Sequence, residues 1–273
     1  MNIKRARPAM GTLLHVSASG EGRDGIQQAV ESALDAVACV ERLMSFHDES
    51  SELSRLNRHA HEAPQRVHRW TYAVLRRALR VSEASNGLFD FTVAPLLMQS
   101  GHLPAREHGA RSHGGWRYVR LLPDLEVAFD VPLMLDLGGI GKGFAVDVAL
   151  HCLRQGGCTE GSVNAGGDLR RFGRHAEVIY LRRASGLLPA AQMRCGAVAT
   201  SAVPEAHEDR LEQPLGCIMD PRIGQPWRDG AAVMVAASTC VMADALTKVA
   251  ALAGPACEPL LARFGAQAQW YAH

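Results

Sequence analysis

Apolar residues recur at helical spacing along much of the chain. Ile26, Val30, Ala33, Leu34, Val37, Val40 and Met44 predict an amphipathic helix over Gly25–Met44. Trp70–Ser85 repeats the pattern and meets a stop at Asn86-Gly87. Phe144–Gln155 predicts a third helix, ended by Gly156-Gly157. A fourth runs from Ser238, its expected cap, to about Ala253, where Gly254-Pro255 breaks it. Ser51-Glu-Leu-Ser-Arg-Leu-Asn57 reads as a short helix with Ser51 as N-cap.

Between these lie short β-like segments at Gly161–Val163, Glu177–Leu181, Ala197–Thr200, Gly216–Met219 and Ala231–Ala236. His102–Gly115 carries no period and reads as a loop. Long helices with short, widely spaced strands indicate an α+β protein.

Composition narrows the function classes. Hydrophobic residues make up 47% and charged residues 21%, as in a globular protein. The formal net charge of +1 gives no electrostatic case for nucleic acid or an anionic membrane. No apolar run is expected to span a membrane, and Met1–Ser19 lacks the core of a signal peptide. The seven cysteines show no C-x-x-C spacing, so buried apolar thiols, a reducing compartment and a cytoplasmic location are expected. Of the 29 basic residues 26 are Arg, and Lys appears only at positions 4, 142 and 248. A compact ammonium is not interchangeable with a planar guanidinium, so Lys142 and Lys248 draw attention.

Lys142 stands in Leu135-Asp-Leu-Gly-Gly-Ile-Gly-Lys-Gly-Phe-Ala-Val-Asp147. An apolar run ends in Asp136, four glycines follow, and helical periodicity begins at Phe144. Bare backbone, a helix start and a lysine suit a phosphate or pyrophosphate. The spacing is neither that of a Walker A loop nor that of a dinucleotide fingerprint. A turn that merely connects strand to helix has the same composition, and the segment alone leaves both open.

Several segments, in order, resemble the ApbE flavin transferases. They are Met10-Gly-Thr12, Leu43-Met-Ser45, Ser51–Asn57, Gly87-Leu-Phe-Asp90 with Thr92-Val93, Asp136–Gly143 and Val163-Asn-Ala-Gly-Gly-Asp-Leu-Arg170. Ala199-Thr-Ser201, Asp220-Pro-Arg222 with Gly224, and Ala243-Asp-Ala245 complete the series. The resemblance spans nearly the whole chain and implies one domain, residues 1–273, of ApbE-like α+β fold: mixed sheets with helices packed around a flavin cleft. It implies a magnesium-dependent enzyme that moves FMN from FAD to a Ser or Thr hydroxyl of an acceptor protein and releases AMP. Some relatives instead hydrolyse FAD to FMN and AMP, and a binding protein without turnover is a further alternative.

By the same resemblance, Met10, His47, Leu88, Phe89, Asp90, Asp136, Lys142 and Ile218 line the flavin site. Gly139, through its carbonyl, and Asp244 would hold Mg²⁺. Asp168 reads equally well as a turn or capping acid.

Three positions depart from the family pattern. His47 stands where an aromatic is common. Cys217 stands where the family has a histidine proposed to activate the acceptor hydroxyl, and a thiol is a poor base near neutrality. Lys248 stands four residues after Asp244, where the family has a hydroxyl ligand. Two outcomes remain open: Thr247 reaches the metal, or Lys248 pairs with Asp244 and fills the cation's place.

Overall fold

The computed structural model describes residues 1–106, 115–183, 186–202, 218–227 and 232–271. Cys217 lies outside them, as do most of the loop expected over His102–Gly115 and the first half of the strand expected over Gly216–Met219.

The chain opens with two strands, β1 (Asn2–Ala9) and β2 (Thr12–Ser19), and a long helix α1 (Arg23–Met44). Short α2 (Glu52–His59), β3 (Gln65–Arg66), α3 (Arg69–Ala84) and α4 (Ala94–Gln99) follow. Next come β4 (Val119–Leu122), β5 (Glu126–Phe129), α5 (Gly141–Gln155), β6 (Glu160–Ala165) and β7 (Asp168–Phe172). The remainder is β8 (Glu177–Arg183), β9 (Gly186–Met193), β10 (Gly196–Ala202), β11 (Met219–Asp220), β12 (Gln225–Pro226), β13 (Ala232–Ala237), α6 (Cys240–Ala253), α7 (Glu258–Arg263) and β14 (Gln267–Tyr271).

The main sheet has seven strands in the order β1-β2-β6-β7-β10-β13-β14, and every neighbouring pair is antiparallel. Alternation sets its faces. Leu14, Val16 and Ala18 are buried on β2 while Leu13 and His15 are exposed, and Gly161, Val163 and Ala165 are buried on β6. Helix α5 packs against both α1 and α6, with α5 on β6 and β7 and α6 on β10 and β13. Val30, Ala33, Val40, Ala145, Val146, Ala149 and Leu246 are wholly sealed in this layer. Each fully buried Val or Leu contributes about 1.5–3 kcal/mol.

Two corrections concern helix starts. The third predicted helix begins at Gly141, three residues before the periodicity does, so Lys142 sits in its first turn. The last long helix is not capped by Ser238. Its first N–H groups, from Cys240 and Val241, donate to Asp147 Oδ1 and Oδ2 at 2.8 and 3.0 Å, and Arg170 holds the same carboxylate at 2.7 Å. A carboxylate from a neighbouring helix thus does the work of a local cap.

By length and composition alone, Cys240–Arg263 could cross a membrane. Its most apolar 18-residue window is 61% buried inside the fold, where α6 packs on α5 and the sheet and apolarity is what a core helix requires.

The β1–β2 hairpin carried no clear sequence signal. Ala9 pairs with Thr12, so Met10-Gly11 is a two-residue turn, and both residues have positive φ, 52° and 71°. That geometry matches the twist of a hairpin and favours glycine at the second place. It also holds Met10, which is not a glycine, in an uncommon conformation, fixed by its N–H donating to Glu41 Oε1 at 2.8 Å.

Candidate active site at the glycine turn

Residues 133–135, which pair with no strand among the described residues, lead into the turn and are fixed from α2. Asn57 exchanges two hydrogen bonds with the Leu135 main chain, at 2.8 and 3.1 Å. Asp136 N–H then donates to Phe91 O at 2.8 Å, tying the turn to the 88–93 segment.

The first turn of α5 meets α6 almost backbone to backbone. A Cβ at Gly143 would lie 2.4 Å from the Cys240 carbonyl oxygen and 2.7 Å from Asp244 Cβ, so no larger residue fits. The Gly143 N–H donates to Asp244 Oδ2 at 2.9 Å. The helix start does hold an anion there, but the anion is the chain's own carboxylate.

The other oxygen, Asp244 Oδ1, accepts from the Lys248 ammonium, which also donates to the Asp244 carbonyl at 3.1 Å. Asp244 is sealed, whereas the Lys248 side chain is 18% exposed. Its methylenes cross the turn: a Cβ at Gly139 would lie 3.4 Å from Lys248 Cε and 3.5 Å from a ring carbon of Phe89. Lys142 reaches back over the same turn. Its Nζ donates to Gly138 O at 3.1 Å and stands 3.7 Å from Asp168 Oδ2. Met10 closes another side, its Cε 3.9 Å from the place of a Cβ on Gly141.

The structure therefore gathers Met10, Phe89, Asp136, Gly139, Lys142, Asp244 and Lys248 around residues 138–141. Other expected site residues stand further back. Asp90 is buried as a turn carboxylate, accepting from Thr92 N–H at 2.8 Å and Thr92 hydroxyl at 2.6 Å. Leu88 is half-buried, and Ile218 is buried in the core with its carbonyl accepting from Trp227 N–H at 2.7 Å. His47 is exposed, yet close enough to Asp136 to lower its proton affinity.

Asp168 is the residue that sequence reasoning undervalued. It is 3% exposed, and its Oδ2 has no hydrogen-bond partner among the described residues. Burial, reinforced by Asp244, pushes its carboxyl up to about 7 against the pull of Lys142 and Lys248. Its sequence signal was the Gly-Gly-Asp turn before β7, which any turn acid shares. Asp136 is also raised, chiefly by burial, although the Gly138 N–H, Lys142, His47 and Lys248 oppose this. Burial would raise Asp244 too, but Lys248, Lys142 and the Gly143 N–H outweigh it and hold the carboxyl low. Burial pulls Lys142 down, and Asp244, Asp168 and Asp136 together lift it above the ordinary lysine value.

The side chains do not fit a divalent ion at Asp244. Both carboxylate oxygens are engaged, one by an ammonium. The Thr247 hydroxyl donates to the Asp244 carbonyl at 2.7 Å and meets Ser201 Oγ at 2.8 Å, so it is turned toward β10. Of the two outcomes left open by the sequence, the Lys248–Asp244 pair is the one formed. No group of three or more His, Cys, Asp or Glu suited to a metal occurs among the described residues. Mg²⁺ demands near-octahedral oxygen ligands, and an ammonium at its place repels it.

The chain is similar to proteins named FAD:protein FMN transferase. The Vibrio cholerae protein is 27% identical over 260 residues, covering 88% of this chain and 78% of that one. The Salmonella typhimurium protein is 26% identical, covering 86% and 74%. The crystal structure of the ApbE protein from Thermotoga maritima superposes with a TM-score of 0.82 at 26% identity, covering 99% of this chain and 94% of that one. The α+β architecture is thus that of ApbE flavin transferases. A model of the ApbE family matches residues 10–269, and the chain belongs to that family.

Proposed function

We propose that the chain binds FAD at the glycine turn and transfers its FMN half to a Ser or Thr hydroxyl of an acceptor protein, releasing AMP. The observation that carries this reading is the convergence of Lys142 and Lys248 on residues 138–139, with Phe89 beside them. Two ammoniums suit the two negative charges of a pyrophosphate. Phe89 and Met10 offer apolar surface next to it.

In the reaction the acceptor oxygen bonds to the FMN-side phosphorus, the bond from that phosphorus to the bridging oxygen breaks, and AMP leaves with the bridging oxygen. The hydroxyl proton passes to a base. Lys142 and Lys248 stabilise the charge that gathers on the phosphoryl oxygens and the leaving group. Cys217, at the family's histidine position, is outside the described residues. The acceptor and the cytoplasmic location belong to the same proposal, the latter supported by buried free thiols at Cys158, Cys240 and Cys257.

The test is incubation of purified protein with FAD, Mg²⁺ and an acceptor protein carrying a Thr flavinylation motif. A flavin mass added to the acceptor, with AMP released, is the expected result. Free FMN plus AMP would make the chain a pyrophosphatase, and bound but intact FAD would make it a flavin-binding protein.

A further inference from the structure

Only three lysines occur among the 29 basic residues, and the two that are not near the N-terminus meet at one turn. Arginine is not equivalent at position 248, because the head sits beside a sealed carboxylate and a planar guanidinium fork differs in shape from a compact ammonium. An ammonium has three N–H donors. Two of those on Lys248 go to Asp244, and the third has no partner among the described residues. The head is thus positioned by Asp244 and left with a donor to offer.

We propose that Lys248 is a cation built into the chain at the FAD pyrophosphate, where with Lys142 it takes the place of a divalent metal, so that FAD binds without Mg²⁺. The inference rests on the flavin reading above. Asp244 then serves as a positioning residue for the ammonium, not as a metal ligand. The lysine stem lies over Gly139 at van der Waals distance from where its Cβ would be. The Thr247 hydroxyl bonds to Ser201 and ties α6 to β10.

The experiment is calorimetric titration of the full chain with FAD, in excess EDTA and in Mg²⁺, alongside titration of the ligand-free protein with Mg²⁺ alone. The unaltered chain should bind FAD with the same affinity in both buffers and give no saturable Mg²⁺ heat. Lys248→Thr should bind FAD at least about tenfold more weakly in EDTA, recover in Mg²⁺, and give saturable Mg²⁺ binding on its own. If this variant fails to fold, Asp244→Asn with Lys248→Met removes both charges, and it should lose FAD affinity in EDTA with no recovery in Mg²⁺. The proposal is overturned if the unaltered chain needs Mg²⁺ to bind FAD, if it binds Mg²⁺ alone, or if the variant keeps full affinity in EDTA. Absence of FAD binding in both buffers would instead refute the flavin reading, and this inference with it.

Discussion

The carboxylate of Asp244 accepts the main-chain N–H of Gly143 at 2.9 Å, joining residues 101 positions apart in sequence. With the Cys240 and Val241 bonds to Asp147, that bond seats α6 against α5, and it orients the carboxylate that holds the Lys248 ammonium. The geometry of the glycine turn therefore depends on two helices approaching more closely than any side chain allows.

Gly143→Ala tests that approach. Its Cβ would fall 2.4 Å from a main-chain oxygen, which cannot move as a side-chain end can. The expected loss is about 1–3 kcal/mol or somewhat more, read as a Tm lower by several degrees. Gly25→Ala, placed in open space on α1, should leave Tm unchanged or raise it. Equal melting of both variants would contradict the packing described.

Asp147 supplies the cap of α6 from a distance. Asp147→Ala leaves two N–H groups and Arg170 without their acceptor. It should cost about 2–4 kcal/mol in chemical denaturation. Ser238→Ala should change stability by less than about 0.5 kcal/mol. The reverse ranking would restore Ser238 as the cap.

Asp168 should make stability depend on pH. Its carboxyl is raised to about 7 from an ordinary 3.8, so the folded state keeps this proton where the unfolded chain has lost it. Stability from this group is full below about pH 4 and is lost as pH rises through about 7, a change on the order of a few kcal/mol. Asp168→Asn removes the penalty. Its Tm relative to the unaltered chain should rise between pH 5 and pH 8, and parallel curves would show that the group titrates normally.

Much of this fold was legible because long amphipathic helices repeat their signal. Nine buried positions on α1 and six on α3 announce those helices several times over. The N-terminal hairpin was not legible. β1 buries only Ile3 and carries Lys4, Arg5 and Arg7, so it shows no alternation. Short β4, β5 and β14 offer too few residues for a period to emerge.

The site was legible where chemistry is unusual for its surroundings: Asp244 in an apolar helix, Lys142 among glycines, Lys248 in an Arg-rich chain. Its remaining parts depend on tertiary contacts. Asp147 caps a helix 93 residues away, and Asp168 acquires its character only from burial beside Lys142. Neither relationship leaves a local pattern.

The most direct test of the account is the affinity of Lys142→Ala for FAD, measured by flavin fluorescence titration beside Lys4→Ala. Lys142 lies over the glycine turn, whereas Lys4 is exposed on edge strand β1. Loss of a charged hydrogen-bond donor to a phosphate costs about 1.5–3 kcal/mol, so Lys142→Ala should bind FAD about 10- to 100-fold more weakly while Lys4→Ala binds as the unaltered chain does. Equal affinity of Lys142→Ala and Lys4→Ala would contradict the placement of FAD at this turn.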